Sequence, residues 1–154
     1  MTQVITIRRL TAEEAPALAG LLAAYAGEMR HAAPPPPAPA LAAGILADPK
    51  AELLGAIQAG TLLGFALFFD LPEAISGRRA GQIDDLYVSP DARGQRLAQR
   101  LIEAIAAIGR ERGWVHLRWL VPQDNLAAQR AYDRLAERAP WLSFALWLDG
   151  QERW

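Results

Sequence analysis

Between Gln82 and Gly113 the chain passes from strand to helix through a very short connection. Residues 82–88 (Gln-Ile-Asp-Asp-Leu-Tyr-Val) have the β-branched and aromatic content of a strand, which Ser89-Pro90 stops. Beyond Arg93-Gly94 the residues Leu97, Leu101, Ile105 and Ile108 mark one face of a long helix that ends near Gly113. The pattern then repeats: residues 114–121 read as a strand and 125–138 as a helix. Upstream, residues 51–59 and 61–69 flank Gly60 as a hairpin, with 82–88 next after the Ser76-Gly77-Arg78-Arg79 loop. Antiparallel hairpins followed by two strand–helix units imply an α/β chain with a mixed sheet and helices on both faces.

The ends of the sequence fit this plan. Residues 4–8 read as a first strand, and Thr11-Ala12-Glu13-Glu14 has the capping-box spacing of a helix start. Leu18, Leu21, Leu22 and Tyr25 give that helix an apolar face. Pro34 to Pro37 and Pro39 form a stiff bridge to a second short helix near residues 40–47. Residues 141–148 read as a last strand. With 154 residues, residues 1–154 are expected to form one domain.

Composition excludes several classes of function. The chain has no cysteine, which removes disulfides, zinc–thiolate sites and a cysteine nucleophile. A formal net charge of −1 gives no long-range field for nucleic acid or acidic membranes. The longest apolar runs, such as residues 61–69, are far shorter than the roughly 20 residues of a membrane span. Glu13 and Glu14 follow Arg8 and Arg9 where a leader would continue with an apolar stretch, so a cytoplasmic location is expected. His31 and His116 have no metal-ligand spacing to carboxylates, and no metal is expected.

The turn into the long helix is a candidate phosphate cradle, because the first turn of a helix offers unpartnered N–H groups and the positive end of the macrodipole. Gly94 lets the turn approach a pyrophosphate, N–H groups from Gly94, Gln95, Arg96, Leu97 and Ala98 face it, and Arg93 adds a charged fork. The plain alternative is an Arg-Gly pair that only starts a surface helix. The run Arg93-Gly94-Gln95-Arg96-Leu97-Ala98, with Asn125, Ala128 and Tyr132 in the later helix, resembles the GNAT superfamily of N-acetyltransferases. That family's coenzyme A motif is Arg/Gln-x-x-Gly-x-Gly/Ala, followed downstream by Asn-x-x-Ala-x-x-x-Tyr. Arg96 departs from it by standing where the middle glycine usually stands. Placed in the first helical turn with negative φ, Arg96 meets no steric demand for glycine, and Arg96→Gly is expected to destabilise the helix.

The resemblance implies a GNAT fold in which two splayed parallel strands hold acetyl-CoA, here 82–88 and 114–121, with Leu86, Tyr87 and Val88 beside it. It implies that Tyr132 protonates the departing thiolate, whereas the apolar stripe of Ala128, Ala131, Tyr132 and Leu135 alone suits a packed core tyrosine. Asp84 and Asp85 are unusual inside a strand. The stretch is similar to the acidic signature of the diamine (spermidine/spermine) acetyltransferase-like branch, which makes Asp84 the candidate base and sets Asp85 on the other face. Pairing of these acids with Arg78 or Arg79, or loop capping, is the alternative. Trp141-Leu142-Ser143-Phe144-Ala145-Leu146 is similar to that branch's tail.

The expected function is direct transfer of acetyl from acetyl-CoA to a primary amine, with a small molecule as acceptor and a homodimer left open. A non-catalytic acyl-CoA-binding or regulatory module is the alternative, for which Arg96 is the sequence support.

Overall fold

The computed structural model describes residues 3–150. In order these form β1 (Ile5–Arg9), a 3-10 turn (Ala12–Glu14), α1 (Ala15–Met29), α2 (Pro39–Ala47), β2 (Glu52–Gln58), β3 (Thr61–Glu73) and β4 (Arg78–Val88). A second 3-10 turn (Pro90–Ala92), α3 (Leu97–Arg112), β5 (Trp114–Trp119) and α4 (Leu126–Asp133) follow.

The strands form one sheet in the order β1-β2-β3-β4-β5, antiparallel except for the parallel pair β4–β5. Local chemistry sets the connections. Ala59 and Gly60 both have positive φ, +48° and +79°, the two-residue turn whose twist matches a hairpin. At the start of α1 the Glu14 carboxylate accepts from the Thr11 backbone N–H and pairs with Arg8 at 2.6 Å. Those contacts, Arg8 first, hold Glu14 down at about 2.

Each face of the sheet carries its own core. Leu18, Ala19 and Ala42 from α1 and α2 pack with Leu53, Leu62, Phe65 and Tyr87. On the other face Leu101, Ile102 and Ile105 of α3 pack with Leu54, Ala66, Phe68 and Ile83. Trp114 lies between sheet and α3, where glycines leave room: a Cβ at Gly81 or Gly109 would come within 2.1 or 2.3 Å of its ring. Gly113, with φ +72°, closes α3 as expected.

Two sequence expectations fail. The last helix covers only Leu126–Asp133, and residues 141–148 form no strand. Leu142, Phe144, Leu146 and Leu148 are 84–90% exposed. The segment has strand composition, and a strand exists only as part of a ladder.

Candidate active site

The parallel pair parts at its carboxyl end. Pairing of β4 with β5 runs from Arg79 opposite Trp114 to Ile83 opposite Trp119, whereas β4 continues to Val88 with its other edge still paired to β3. A wedge therefore opens beside residues 84–88. Both α3 and α4 start from the carboxyl ends of these two strands, so both helix N-termini stand at the wedge, the usual ligand position in parallel sheets.

Residue Asp84 sits at a β-bulge. Leu67 pairs with Asp85 and Phe68 with Ile83, which leaves Asp84 as the extra residue of β4. The bulge inverts the alternation beyond it, because Ile83 and Leu86 both pack towards α3 while Tyr87 joins the core under α1. The expectation that alternation sets the two aspartates on opposite faces consequently does not hold. Asp84 is exposed and is approached at 3.2 Å by the Gln82 amide. Asp85 is half-buried against the Tyr25 hydroxyl. Burial pushes the Asp85 carboxyl above its usual range, Tyr25 partly offsets this, and the Asp84 charge adds to the rise. Neither acid pairs with Arg78 or Arg79, which bind the Gly113 carbonyl and Asp70.

Tyr25 was placed by its spacing on the apolar face of α1, and nothing in that pattern marked it as part of a site. Its ring lies edge-on to Phe65 at 6.1 Å and 5.4 Å from the ring of Tyr87. Burial first, then the Asp85 charge, raises its hydroxyl well above the ordinary value for tyrosine. The available signal was the pairing rule: a phenol packed among apolar side chains and an acid inside a strand each need a polar partner.

Tyr132 of α4 stands edge-on to Trp119 at 5.5 Å, half-buried on the α3 side of the sheet. Burial raises its pKa, and its hydroxyl is near enough to add to the rise of Tyr25. Asn125 is the N-cap of α4, its side-chain oxygen accepting from the Ala128 N–H at 3.2 Å. Gln129 fastens the preceding loop through the carbonyls of Pro122 and Gln123.

In the turn before α3, Gly94 has φ +82° and Arg96 φ +58°. Arg96 is the N-cap residue, outside the helical turn, and left-handed. This corrects the expectation of negative φ: it is a backbone position that favours glycine. Gln95 and Arg96 are exposed, Leu97 is buried beneath the turn and Ala98 is half-buried. Arg93 is engaged elsewhere, since its guanidinium holds Glu28 of α1 at 2.7 and 2.9 Å and the Val88 carbonyl at 3.1 Å. It thus ties the turn to α1 and lies over the Tyr87 ring at 5.7 Å. His31 approaches Asp124 at 3.9 Å, both exposed. Among the described residues no group of three potential ligands could hold a metal ion, and no helix is long and apolar enough to cross a membrane.

Residues 18–136 match the Acetyltransferase (GNAT) family. The chain belongs to that family. It is 36% identical to a ribosomal-protein-alanine N-acetyltransferase from Brucella melitensis biovar Abortus 2308, with TM-score 0.81 over 94% of this chain and 100% of that one. It is 28% identical over 95 residues to the thialysine N-epsilon-acetyltransferase of Mus musculus, and 29% over 91 residues to that of Sus scrofa. These alignments cover 58% and 57% of this chain, which spans about half the length of those relatives, 55% and 53%. They agree with the resemblance to the diamine acetyltransferase-like branch. An aminoglycoside N-acetyltransferase solved in complex with CoA shares the fold at TM-score 0.75 and 19% identity, over 95% of this chain and 96% of that one. GNAT enzymes use acetyl-CoA.

Proposed function

We propose that this chain transfers the acetyl group of acetyl-CoA directly to a primary amine of a small molecule. The observation that carries the reading is the convergence, where β4 leaves β5, of a half-buried carboxylate with two half-buried phenols: Asp85, Tyr25 and Tyr132.

The residues present fit acetyl-CoA. The turn at Gly94 is open, since a Cβ there would meet nothing within 4 Å, and it leads into the unpartnered N–H groups of Leu97 and Ala98. Gly94, Gln95, Arg96, Leu97 and Ala98 would hold the pyrophosphate, and the free edge of Leu86, Tyr87 and Val88 would flank the thiol-bearing arm. Asn125 and Ala128 support this through the cap that begins the helix carrying Tyr132. When bound, acetyl-CoA supplies the thioester carbonyl that the amine attacks.

Asp85 holds the acceptor as an ammonium and takes its proton at a carboxylate oxygen. Its raised pKa strengthens it as a base, and Asp84 adds a second negative charge to attract a cation. Tyr25 fixes the orientation of the Asp85 carboxylate. Tyr132 stays protonated at neutral pH and donates its hydroxyl proton to the departing sulfur. Without cysteine in the chain, no thioester-linked enzyme intermediate is available.

A second reading rests on the 36%-identical relative, whose acceptor is an alanine of a ribosomal protein. One assay separates the readings: release of free thiol from acetyl-CoA with thialysine, diamines, aminoglycosides and a peptide with an amino-terminal alanine. Turnover with a small amine supports the proposal, and turnover with the peptide alone moves the acceptor to a polypeptide. No turnover, together with a Tm rise on adding acetyl-CoA, identifies a non-catalytic acyl-CoA-binding module. Binding at a hundredfold excess over Kd stabilises the native state by about 2.7 kcal/mol, so an unchanged Tm at millimolar acetyl-CoA overturns the reading.

A further inference from the structure

We infer that Glu28 and Arg93 are positioning residues: their contact clamps the end of α1 so that Tyr25 holds Asp85, and the Arg93 guanidinium serves the acceptor side of the site instead of the cofactor. This rests on the reading above of Asp85 as the acid that receives the acceptor.

Glu28 is unfavourable where it stands. It lies in the last turn of α1, where a carboxylate faces the negative end of the helix dipole and no basic residue of that turn accompanies it. Its partner comes from 65 positions away: the Arg93 Nη2 donates to both Glu28 carboxylate oxygens, at 2.7 and 2.9 Å. The same guanidinium donates through Nε to the Val88 carbonyl at 3.1 Å and lies 5.7 Å over the Tyr87 ring. These contacts fix one planar group against α1 and against the end of β4 together. The Nε and Nη2 groups, an edge that can grip a phosphate as a fork, are thereby taken.

Helix α1 passes the clamp on. Tyr25 and Glu28 are three residues apart and so neighbours on one helix face. The Tyr25 ring lies 5.4 Å from that of Tyr87, which therefore touches both Arg93 and Tyr25. The helix end is closed tightly: His31 has φ +50°, its N–H donates to the Glu28 carbonyl at 3.2 Å, and the Ala32 N–H donates to the Gly27 carbonyl at 2.9 Å. Pro34 packs on Gly27 so closely that a Cβ there would come within 2.9 Å of its backbone. The last turn of α1 thus behaves as one piece, and the tie at Glu28 sets where Tyr25 sits. Tyr25 in turn lies against Asp85 and draws its pKa down, against the rise from burial and from the Asp84 charge.

The test compares the full chain with Glu28→Ala, Arg93→Ala, their double variant and Tyr25→Phe. Alanine suits the last turn of a helix better than a carboxylate, so Glu28→Ala keeps α1, which far-UV circular dichroism checks. Arg93→Lys, which keeps the charge but not the planar grip, is the second variant at that position. Carbon-13 NMR titration of the Asp85 carboxyl, assigned with Asp85→Asn, needs no acceptor. The Asp85 pKa should rise in Tyr25→Phe, in both Arg93 variants and in Glu28→Ala. The sign at Glu28 discriminates, because loss of a neighbouring negative charge alone would lower that pKa. An unchanged or lowered value in Glu28→Ala overturns the proposal. Calorimetry with CoA should give Arg93→Ala a Kd within about threefold of the unsubstituted chain; loss of a phosphate ligand would raise it about tenfold or more, and that rise also overturns the proposal. With an amine that turns over, each single variant should lower kcat/KM about tenfold and the double variant no further, whereas additive losses overturn the clamp. If no amine turns over, the transfer reading fails, and the titration and calorimetry still decide the clamp.

Discussion

Replacing Arg96 with glycine should make this protein more stable, although glycine at the start of a helix normally does the opposite. Arg96 has φ +58° and caps α3 from outside the helix. A residue with a Cβ pays about 1–2 kcal/mol for the left-handed region, where glycine is unstrained. Glycine's greater freedom in the unfolded chain takes back about 0.5–1 kcal/mol. At an N-cap, glycine is otherwise an acceptable residue, and the Arg96 side chain makes no capping hydrogen bond that would be lost. The net gain is about 0.5–1 kcal/mol, or roughly 1–4 °C in Tm for a chain of this size. Arg96→Ala is the decisive control, since it removes the same charge but keeps the Cβ and so gains nothing from relief of φ. Urea melts of the unsubstituted chain and both variants, without acetyl-CoA, give the comparison. If Arg96→Gly is no more stable than Arg96→Ala, the left-handed strain assigned to this position is wrong.

Other outcomes follow from the site and the caps. Tyr132→Phe should lower kcat by about 10²–10⁴ with the Kd for acetyl-CoA nearly unchanged, because only proton donation is lost; an unchanged kcat would leave Tyr132 as a packing residue. Asp85→Asn should reduce acetyl transfer by about 10²–10⁴, and equal loss in Asp84→Asn alone would move the base to Asp84. The same Asp85→Asn variant has a stability signature. The folded pKa of Asp85 is raised, so its favourable contribution is full below the ordinary 3.8 and is lost as pH rises through the raised value. Asn at 85 should therefore lessen the decline in Tm across that window, and a steeper decline would contradict the burial argument. Glu14 has the reverse sign: its pKa is lowered to about 2, so its contribution is present above 4.5 and lost as pH falls towards 2. Glu14→Gln should flatten that acid limb and cost about 0.5–1 kcal/mol at neutral pH in urea melts, a modest value because the pair with Arg8 is solvent-screened.

Much of the fold was legible because each signal was local. The hairpin at Gly60, the capping box at Thr11 and Glu14, the apolar face of α3 and its glycine stop depend on residues a few positions apart, and the structure shows all four. The last strand was not legible as a failure, because strand composition at residues 141–148 says what the segment can form but cannot say whether a free edge lies beside it. Arg93 looked like a phosphate ligand from its place in the motif. Its contact with Glu28 joins residues 65 positions apart, and no spacing rule reports that.

The departures from local expectation are not scattered through the molecule. The bulge at Asp84 and the left-handed Arg96 stand near the two ends of one stretch, from the last residues of β4 through the turn into α3. Tyr25 and Arg93, both placed by contacts with distant residues, attach that stretch to α1. Regular alternation would have continued the orientation set by Ile83, and the bulge instead turns Asp85 towards Tyr25. Two positive φ values, at Gly94 and Arg96, carry the chain through the open turn into α3. Local rules break where the backbone must leave a regular ladder to make room between β4 and β5, and their failure marks the candidate site as clearly as the family motif does.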